Sequence, residues 1–556
     1  MVPVCPPRTV SMLTRDRVRL DADVYTPDAA GEFPVLLMRQ PYGRAIASTV
    51  VYAHPTWYAA HGYIVAIQDV RGRGTSEGAF RLFASEAEDG YDTVNWAATL
   101  PQSTGQVGMY GFSYQGMTQL FAAAAQPMAL KLIAPAMVGY NLYADWAYEN
   151  GALCLQAGLS WAIQLAAETA RLKGDESAYQ KLYAASRNLP LHDPIPARPQ
   201  ILTELAPDSF FHDWLDHPEF DHYWRSLTPQ LAAVDLPMLH LGGWFDPYLR
   251  GDLRLFKEMC DRSAHLQHLW IGPWGHLPWG RKAGSVDFGP TANSAIDGLQ
   301  IRWFDHFLKG KDTGLGEQPP VCLFEMGTNH WRPFGQWPTG RPKPYYLSST
   351  GLASMGQDNG ALVETLPTTS LQQRDVIVHD PWRPAPSLGG HAAFPSGSFD
   401  RSGIDCRSDI LTYTTAPLSE ALSVAGEIAA EVYCTADTPS FDLCAVLSEV
   451  HPNGAVYNLT QGYRRIDRPV DSAQSVTVPF HPTCFYMAAG NALRVSLSAA
   501  CFPAYAVNPG TGAPPGESRL MNARIITLVI HSGQDYPSQV MLSLPTRDLH
   551  HRPSSL

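Results

Sequence analysis

Gly111-Phe112-Ser113-Tyr114-Gln115-Gly116 is the segment of this chain whose residue types and spacing point most directly to covalent chemistry. A short apolar run, Val107 to Tyr110, precedes it and reads as a buried strand. Met117 to Ala125, rich in alanine, follows it as a strong helix former. A glycine-flanked serine between strand and helix is the setting of a nucleophile elbow. Such a turn lifts the serine oxygen above the sheet and sets a helix N-terminus beneath a developing negative charge. The general pattern has glycine two positions after the serine. Here that position is Gln115, and Gly116 comes one later.

A serine nucleophile needs a base, the base needs an orienting acid, and the oxyanion needs donors. In α/β-hydrolases the chain order is nucleophile, acid, histidine. The apolar run Leu236–Leu241 leads into Gly242-Gly243-Trp244-Phe245-Asp246, and the run ending at Ile271 leads into Gly272-Pro273-Trp274-Gly275-His276. Both candidates therefore fall at strand carboxyl ends, where α/β active sites form. An aspartate after a strand is commonly a turn residue or cap. The conjunction of three residue types, their order and their strand ends is what singles out Ser113, Asp246 and His276. The pair His265 and His268 lies in a predicted strand without a third ligand, so no metal site is expected.

The elements that must position these residues alternate in the first part of the chain. Val35–Arg39, Tyr63–Gln68 and Leu132–Ala134 read as parallel strands, and Glu86–Leu100 as an amphipathic helix. The fold class expected is α/β: an α/β-hydrolase fold with a helical lid insertion, followed by an all-β, jelly-roll-like domain. Strand signals vanish across 141–232, where helical text gives way to a stretch containing Pro190, Pro194, Pro196 and Pro199. The catalytic domain is expected over 1–140 and 233–343, the lid over 141–232, and the β-domain over 344–556. That last part alternates β-rich runs such as Asp375–His379, Ala492–Ser498 and Ala523–Ile530 with Pro, Gly and Asn turns.

Composition bounds the function classes. A chain of 556 residues with 45% apolar and 17% charged residues buries large cores. A net charge of −12 without a basic cluster argues against nucleic acid as partner. The most apolar stretch, Leu120 to Tyr140, is broken by Gln126-Pro127 and Lys131, which argues against a membrane span. The N-terminal residues lack a signal-peptide pattern, so a cytoplasmic location is expected. Nine cysteines without ligand spacing, Cys434 and Cys444 included, read as buried free thiols.

Several further motifs carry a family resemblance. Arg39-Gln40-Pro41-Tyr42-Gly43-Arg44, the run Gln68-Asp69-Val70-Arg71-Gly72-Arg73-Gly74-Thr75-Ser76-Glu77-Gly78, the elbow with its displaced glycine, Gly243–Asp246 and Gly272–His276 occur in order. With Pro386–Gly390 and Phe502–Tyr505 they make the chain resemble the cocaine esterase family of α/β-hydrolases, relatives of X-prolyl dipeptidyl peptidases and α-amino acid ester hydrolases. The resemblance implies Ser113 as nucleophile, His276 as general base and then acid, and Asp246 as the residue that orients the imidazole. It also implies an oxyanion hole made of the Tyr114 backbone N–H and the Tyr42 phenol. Arg71, Arg73 and Ser76 are expected to fix a loop rather than to do chemistry.

Trp161 in the lid, at a position matching a family substrate contact, and Trp244, Phe245 and Tyr248 beside the acid suggest an aromatic substrate pocket. Relatives that bind an α-ammonium group need a carboxylate cluster, because a buried cation must be paired. Here Asp246 is followed by Pro247-Tyr248-Leu249-Arg250, and only Asp145 and Glu149 remain as nearby candidates. The function expected is hydrolysis of small apolar or aromatic carboxylic esters through an acyl-enzyme, with no cofactor. The alternatives are an X-Pro dipeptidyl-peptidase-like peptidase, an amidase or acylase, and a hydrolase-like scaffold used only for binding. A homodimer is kept open as the assembly.

Overall fold

The computed structural model of the protein describes residues 1–191, 198–356, 359–368 and 373–545; Pro194 and Pro196 of the expected proline-rich stretch lie outside them. The first half of the chain builds strands β1 (Arg8–Leu13), β2 (Arg19–Tyr25), β3 (Phe33–Gln40), β4 (Ile64–Asp69), β5 (Ser103–Phe112) and β6 (Leu130–Ala136). A hairpin of β7 (Tyr148–Glu149) and β8 (Ala152–Leu153) follows, and then β9 (Met238–Phe245) and β10 (Gln267–Gly275). A second small hairpin, β11 (Lys282–Ala283) and β12 (Val286–Asp287), precedes β13 (Val321–Glu325) and β14 (His330–Phe334).

Ten of these strands form one sheet in the order β1-β2-β4-β3-β5-β6-β9-β10-β13-β14. The pairs from β4 through β13 are parallel, whereas β1–β2, β2–β4 and β13–β14 are antiparallel, so the sheet is mixed. The central strands bury both faces, which is why they read as unbroken apolar runs. Along β3, Val35 and Leu37 enter one core and Leu36 and Met38 the other. Helices α2 (Glu86–Ala98) and α3 (Tyr114–Ala124) cover the first face, and α1 (Pro55–Ala60) and α10 (Ile296–Lys309) the second. After β3 the chain crosses to β4 on one side and then returns to β5 on the other. Ligands bind beyond the strand carboxyl ends at such a reversal.

Between β6 and β9 the described residues form a one-turn π-helical segment, Leu142–Ala147, and five helices. They are α4 (Leu155–Leu172), α5 (Glu176–Arg187), α6 (Gln200–Leu205), α7 (Phe210–Asp216) and α8 (His222–Ser226); α9 (Leu249–Arg262) follows β9. The β7–β8 hairpin was not expected in this segment. It turns on Asn150 and Gly151, both at positive φ (45° and 87°), as a two-residue hairpin turn requires.

From Arg341 to Pro545 the regular structure of the described residues is mainly β, with an eleven-stranded mixed sheet and a separate two-stranded pair, Leu422–Gly426 with Thr483–Met487. It shares a core with the first sheet. Trp244, Phe245, Leu269, Ile271 and Phe324 join Tyr345, Leu347, Leu411 and Leu528 in one hydrophobic cluster.

Candidate active site

Ser113 stands between β5 and α3 with φ 60° and ψ −126°, a backbone conformation that L-residues rarely adopt. Strain of this kind persists only where the surroundings enforce it. Two glutamines do so here. The Gln115 side chain accepts the Phe112 N–H at 3.3 Å and donates to Gln40 Oε1 at 3.1 Å and to Ser48 Oγ. Gln119 donates to the Gly111 and Gln115 carbonyls at 3.0 and 3.1 Å and accepts the Ala134 N–H at 3.0 Å. This explains the displaced glycine. Position 115 holds the side chain that pins the elbow, and glycine is needed at 116, where a Cβ would collide with Val138.

Asp246 and His276 follow β9 and β10 directly. Both strands run further than their apolar text suggests, through Gly242-Gly243 and Gly272, positions where the packed surroundings leave no room for a side chain. A Cβ on Gly243 would overlap the Trp274 carbonyl. Asp246 is fully buried, and its Oδ1 accepts the His276 Nδ1–H at 2.8 Å. That bond commits Nδ1 and leaves Nε2 as the nitrogen free to exchange a proton. The imidazole packs 5.4 Å from the ring of Phe112, the residue before Ser113, and edge-on to Tyr248 at 5.0 Å.

Tyr42 follows β3, so these four residues stand at the carboxyl ends of β3, β5, β9 and β10. The Trp161 indole N–H donates to the Tyr42 hydroxyl at 3.2 Å, and Ser113 lies within hydrogen-bonding reach of the same group. Burial pushes the Tyr42 phenol up to about 12 against the pull of Trp161, Arg73 and Ser113, so it is a neutral donor at physiological pH. The Tyr114 side chain is held away from Ser113. Its hydroxyl donates to Glu86 at 2.7 Å, its ring stacks on Phe83 at 4.4 Å, and Glu86 is in turn paired with Arg39 at 2.6 Å. Its backbone N–H is in the first turn of α3, where no intrahelical acceptor exists.

The four aromatic residues expected in a pocket fall into two groups. Trp161 and Tyr248 come together through Trp146, at 5.1 Å and 4.2 Å between ring centroids, and Phe210 and Trp214 extend this wall at 4.9 and 6.3 Å from Trp161. Trp244 and Phe245 do not join it. Trp244 donates to the Phe324 carbonyl at 2.7 Å, Phe245 stacks on Phe288 at 6.4 Å, and both lie in the core shared with the C-terminal sheet. The cause is the extension of β9, which carries these two residues as strand positions into packing. Trp146 escaped sequence reading because a single π-helical turn leaves no periodic signal.

Neither nearby acid is free. Glu149 Oε2 accepts from Arg250 at 2.8 Å, from His391 Nε2–H at 2.9 Å and from the Tyr505 hydroxyl at 2.6 Å. Burial opposes its ionisation, but Arg250 and His391 outweigh it and hold the carboxyl down to about 2. Asp145 pairs with Arg254 at 3.0 Å and accepts the Asn141 N–H at 2.7 Å. Of the loop residues, Arg71 bridges Asp16 and Asp89 at 2.7 Å each, and the Ser76 hydroxyl joins the Asp69 carbonyl to the Asp21 N–H.

One further element reaches the site. Phe394, half-exposed at 43%, lies on a loop of the C-terminal region that exchanges two hydrogen bonds with Gln156 of α4, at 2.9 and 3.2 Å. Ser396 of that loop packs against Gly275, beside His276 and the exposed Leu277.

The profile of the X-Pro dipeptidyl-peptidase (S15 family) matches residues 16–278, and that of the X-Pro dipeptidyl-peptidase C-terminal non-catalytic domain matches residues 313–541. Cocaine esterase of Rhodococcus sp. (strain MB1 Bresler) is 30% identical over 564 residues, spanning 96% of this chain and 97% of that protein. The chain belongs to the cocaine esterase family of serine hydrolases. It is thus a hydrolase of carboxylic esters. Two solved structures share the family fold. An aminopeptidase from a marine-sediment Thaumarchaeota archaeon has TM-score 0.81 at 23% identity, covering 97% of this chain and 96% of its own. An α-amino acid ester hydrolase has TM-score 0.80 at 22% identity, covering 98% and 97%. No described helix is long and apolar enough to cross a membrane.

Proposed function

We propose that the enzyme cleaves esters of apolar or aromatic character through a Ser113–His276–Asp246 triad and an acyl-enzyme intermediate. The observation that carries this reading is the 2.8 Å bond from His276 to buried Asp246, with the imidazole against the residue that precedes the strained serine. His276 Nε2 takes the Ser113 proton as Oγ attacks the ester carbonyl, and Asp246 stabilises the imidazolium. The carbonyl electron pair moves onto oxygen, where the Tyr114 N–H and the Tyr42 hydroxyl donate to it. Collapse expels the alcohol, which takes the proton from His276. Water then attacks the acyl group by the same steps and releases the acid.

Trp161, Trp146 and Tyr248 form the aromatic wall for the acyl or alcohol group, with Phe394 and Leu277 at its rim. The helical segment over 141–232 acts as a lid on the catalytic domain (1–140 and 233–343), and residues 344–556 form the jelly-roll-like domain. A peptidase reading is favoured by the S15 match. Against it, Glu149 and Asp145 are already neutralised by Arg250 and Arg254, so a substrate ammonium group would meet no unpaired carboxylate there. A panel of nitrophenyl esters and aminoacyl nitroanilides decides between the two. Turnover of aryl and acyl esters is expected, and comparable turnover of the nitroanilides would favour the peptidase. Labelling of Ser113 by a fluorophosphonate separates both from a binding-only scaffold.

A further inference from the structure

The loop after β4, Val70 to Gly78, folds back through three glycines at positive φ, 70° at Gly72, 56° at Gly74 and 88° at Gly78. Added Cβ atoms at Gly72 and Gly74 would collide with the Phe80 backbone and the Asp69 carboxylate. The Arg73 N–H donates to the Val70 carbonyl at 3.0 Å, and the Ser76 N–H to the Arg73 carbonyl at 2.9 Å. This tight path sends its two arginines in opposite directions. Arg71 reaches its two aspartates, whereas Arg73 turns inward and is only 2% exposed.

The Arg73 guanidinium lies 3.9 Å over the Phe80 ring and donates from Nη1 to the Leu165 carbonyl at 3.3 Å, while its buried Nε has no acceptor. Among the described residues no carboxylate forms an ion pair with it. Glu168, which acts on it from α4, is paired with Arg171 at 2.7 Å. Burial lowers Arg73 to about 10, which leaves it charged at neutral pH. An unpaired buried cation costs stability that no carboxylate here offsets, so its retention points to a role other than holding the fold.

Its neighbours indicate that role. Leu165 is one turn along α4 from Trp161, the indole that donates to Tyr42. Phe80, under the guanidinium, packs 6.0 Å from the ring of Tyr114. Arg73 is therefore wedged among the supports of both groups read as oxyanion donors. We propose that Arg73 is a positioning residue of the oxyanion site, whose unpaired charge polarises the Tyr42 hydroxyl and strengthens the hydrogen bond it gives to the transition-state oxyanion. This rests on the reading of Tyr42 as that donor. A fixed cation in a water-excluded site stabilises charge that exists only in the transition state and needs no reorganisation to do so.

The test is a set of Arg73 variants in the full-length enzyme, with and without Tyr42→Phe, assayed on one nitrophenyl ester. Arg73→Met is expected to lower kcat by roughly ten- to a hundredfold with KM within about twofold, less than the loss of an oxyanion donor itself. Its Tm should be unchanged or higher, because an apolar side chain replaces an unpaired charge. Arg73→Lys should keep most of the wild-type kcat. In the Tyr42→Phe background Arg73→Met should have little further effect. An unchanged kcat, an equal fall in the Tyr42→Phe background, or a lysine variant no better than methionine overturns the proposal. Arg73→Gln, a shorter polar side chain without the charge, decides the case if the methionine variant does not fold. Wild-type kcat in Tyr42→Phe alone would instead overturn the reading of Tyr42.

Discussion

The indole N–H of Trp161 donates to the hydroxyl oxygen of Tyr42 at 3.2 Å, joining α4 to the carboxyl end of β3. Because the indole occupies a lone pair on that oxygen, the phenolic proton is turned towards another acceptor, with Ser113 in reach. An aromatic residue that on composition alone is a pocket wall thereby also orients a donor.

Removing the Tyr42 hydroxyl separates these roles. Tyr42→Phe keeps the ring, so folding and Tm should hold, while kcat falls on the order of 10²–10³-fold with KM nearly constant. Trp161→Phe keeps much of the wall and loses only the orienting bond, so its kcat should fall less. Steady-state kinetics beside thermal melts check both, and wild-type kcat in the Tyr42→Phe enzyme removes Tyr42 from the site.

Ser113 is held at φ 60° by its neighbours, at a cost of about 1–3 kcal/mol. Glycine adopts that conformation without strain. Ser113→Gly should therefore raise Tm while abolishing turnover, and Ser113→Ala should abolish turnover, on the order of 10⁶-fold, without that gain. A glycine variant no more stable than the alanine variant would mean that the elbow is unstrained.

Glu149 predicts a pH-dependent stability. Its carboxyl sits at about 2 in the folded protein, below its ordinary value of 4.5, so between these values the folded state binds fewer protons than the unfolded state. The stabilisation, on the order of 3 kcal/mol, is complete above about pH 4.5 and is lost as pH falls towards 2. Glu149→Gln should remove that part of the slope. It should also destabilise the protein at pH 7 by about 3–5 kcal/mol, because Arg250 is left buried without its anion. Urea unfolding of both proteins at pH 3, 5 and 7 measures each effect.

The positions of Ser113, Asp246 and His276 are legible in the sequence because each follows an apolar strand directly, and strand ends in a parallel sheet converge. Tyr42 carries no such signal. Its place is visible only through the family motif, since Arg39-Gln40-Pro41-Tyr42 read alone is a turn after a strand. The β7–β8 hairpin is missed because two-residue strands have no alternation to detect. The joint core of the two sheets is missed because hydrophobic periodicity shows that a face is buried, not what buries it. Trp244 and Phe245 are misplaced for that reason: they are aromatic and next to Asp246, but their partners Phe324 and Phe288 lie about 40–80 residues away.

Trp244 and Tyr248, four residues apart, therefore make opposite predictions. Trp244 is 3% exposed in the shared core, and its indole satisfies the Phe324 carbonyl. Trp244→Ala should cost about 3–5 kcal/mol of stability through the cavity and the orphaned acceptor. In whatever fraction stays folded, the ranking of ester substrates should not change. Tyr248 lies between Trp146 and His276, on the wall read as the substrate pocket. Tyr248→Leu keeps an apolar side chain there but removes the flat face. It should lower kcat/KM for aromatic esters more than for short aliphatic ones, with a smaller loss of Tm than Trp244→Ala. The ratio of the two kcat/KM values, measured for both variants, checks the assignment. A shifted ratio in Trp244→Ala together with an unshifted one in Tyr248→Leu would place the pocket on the other side of β9.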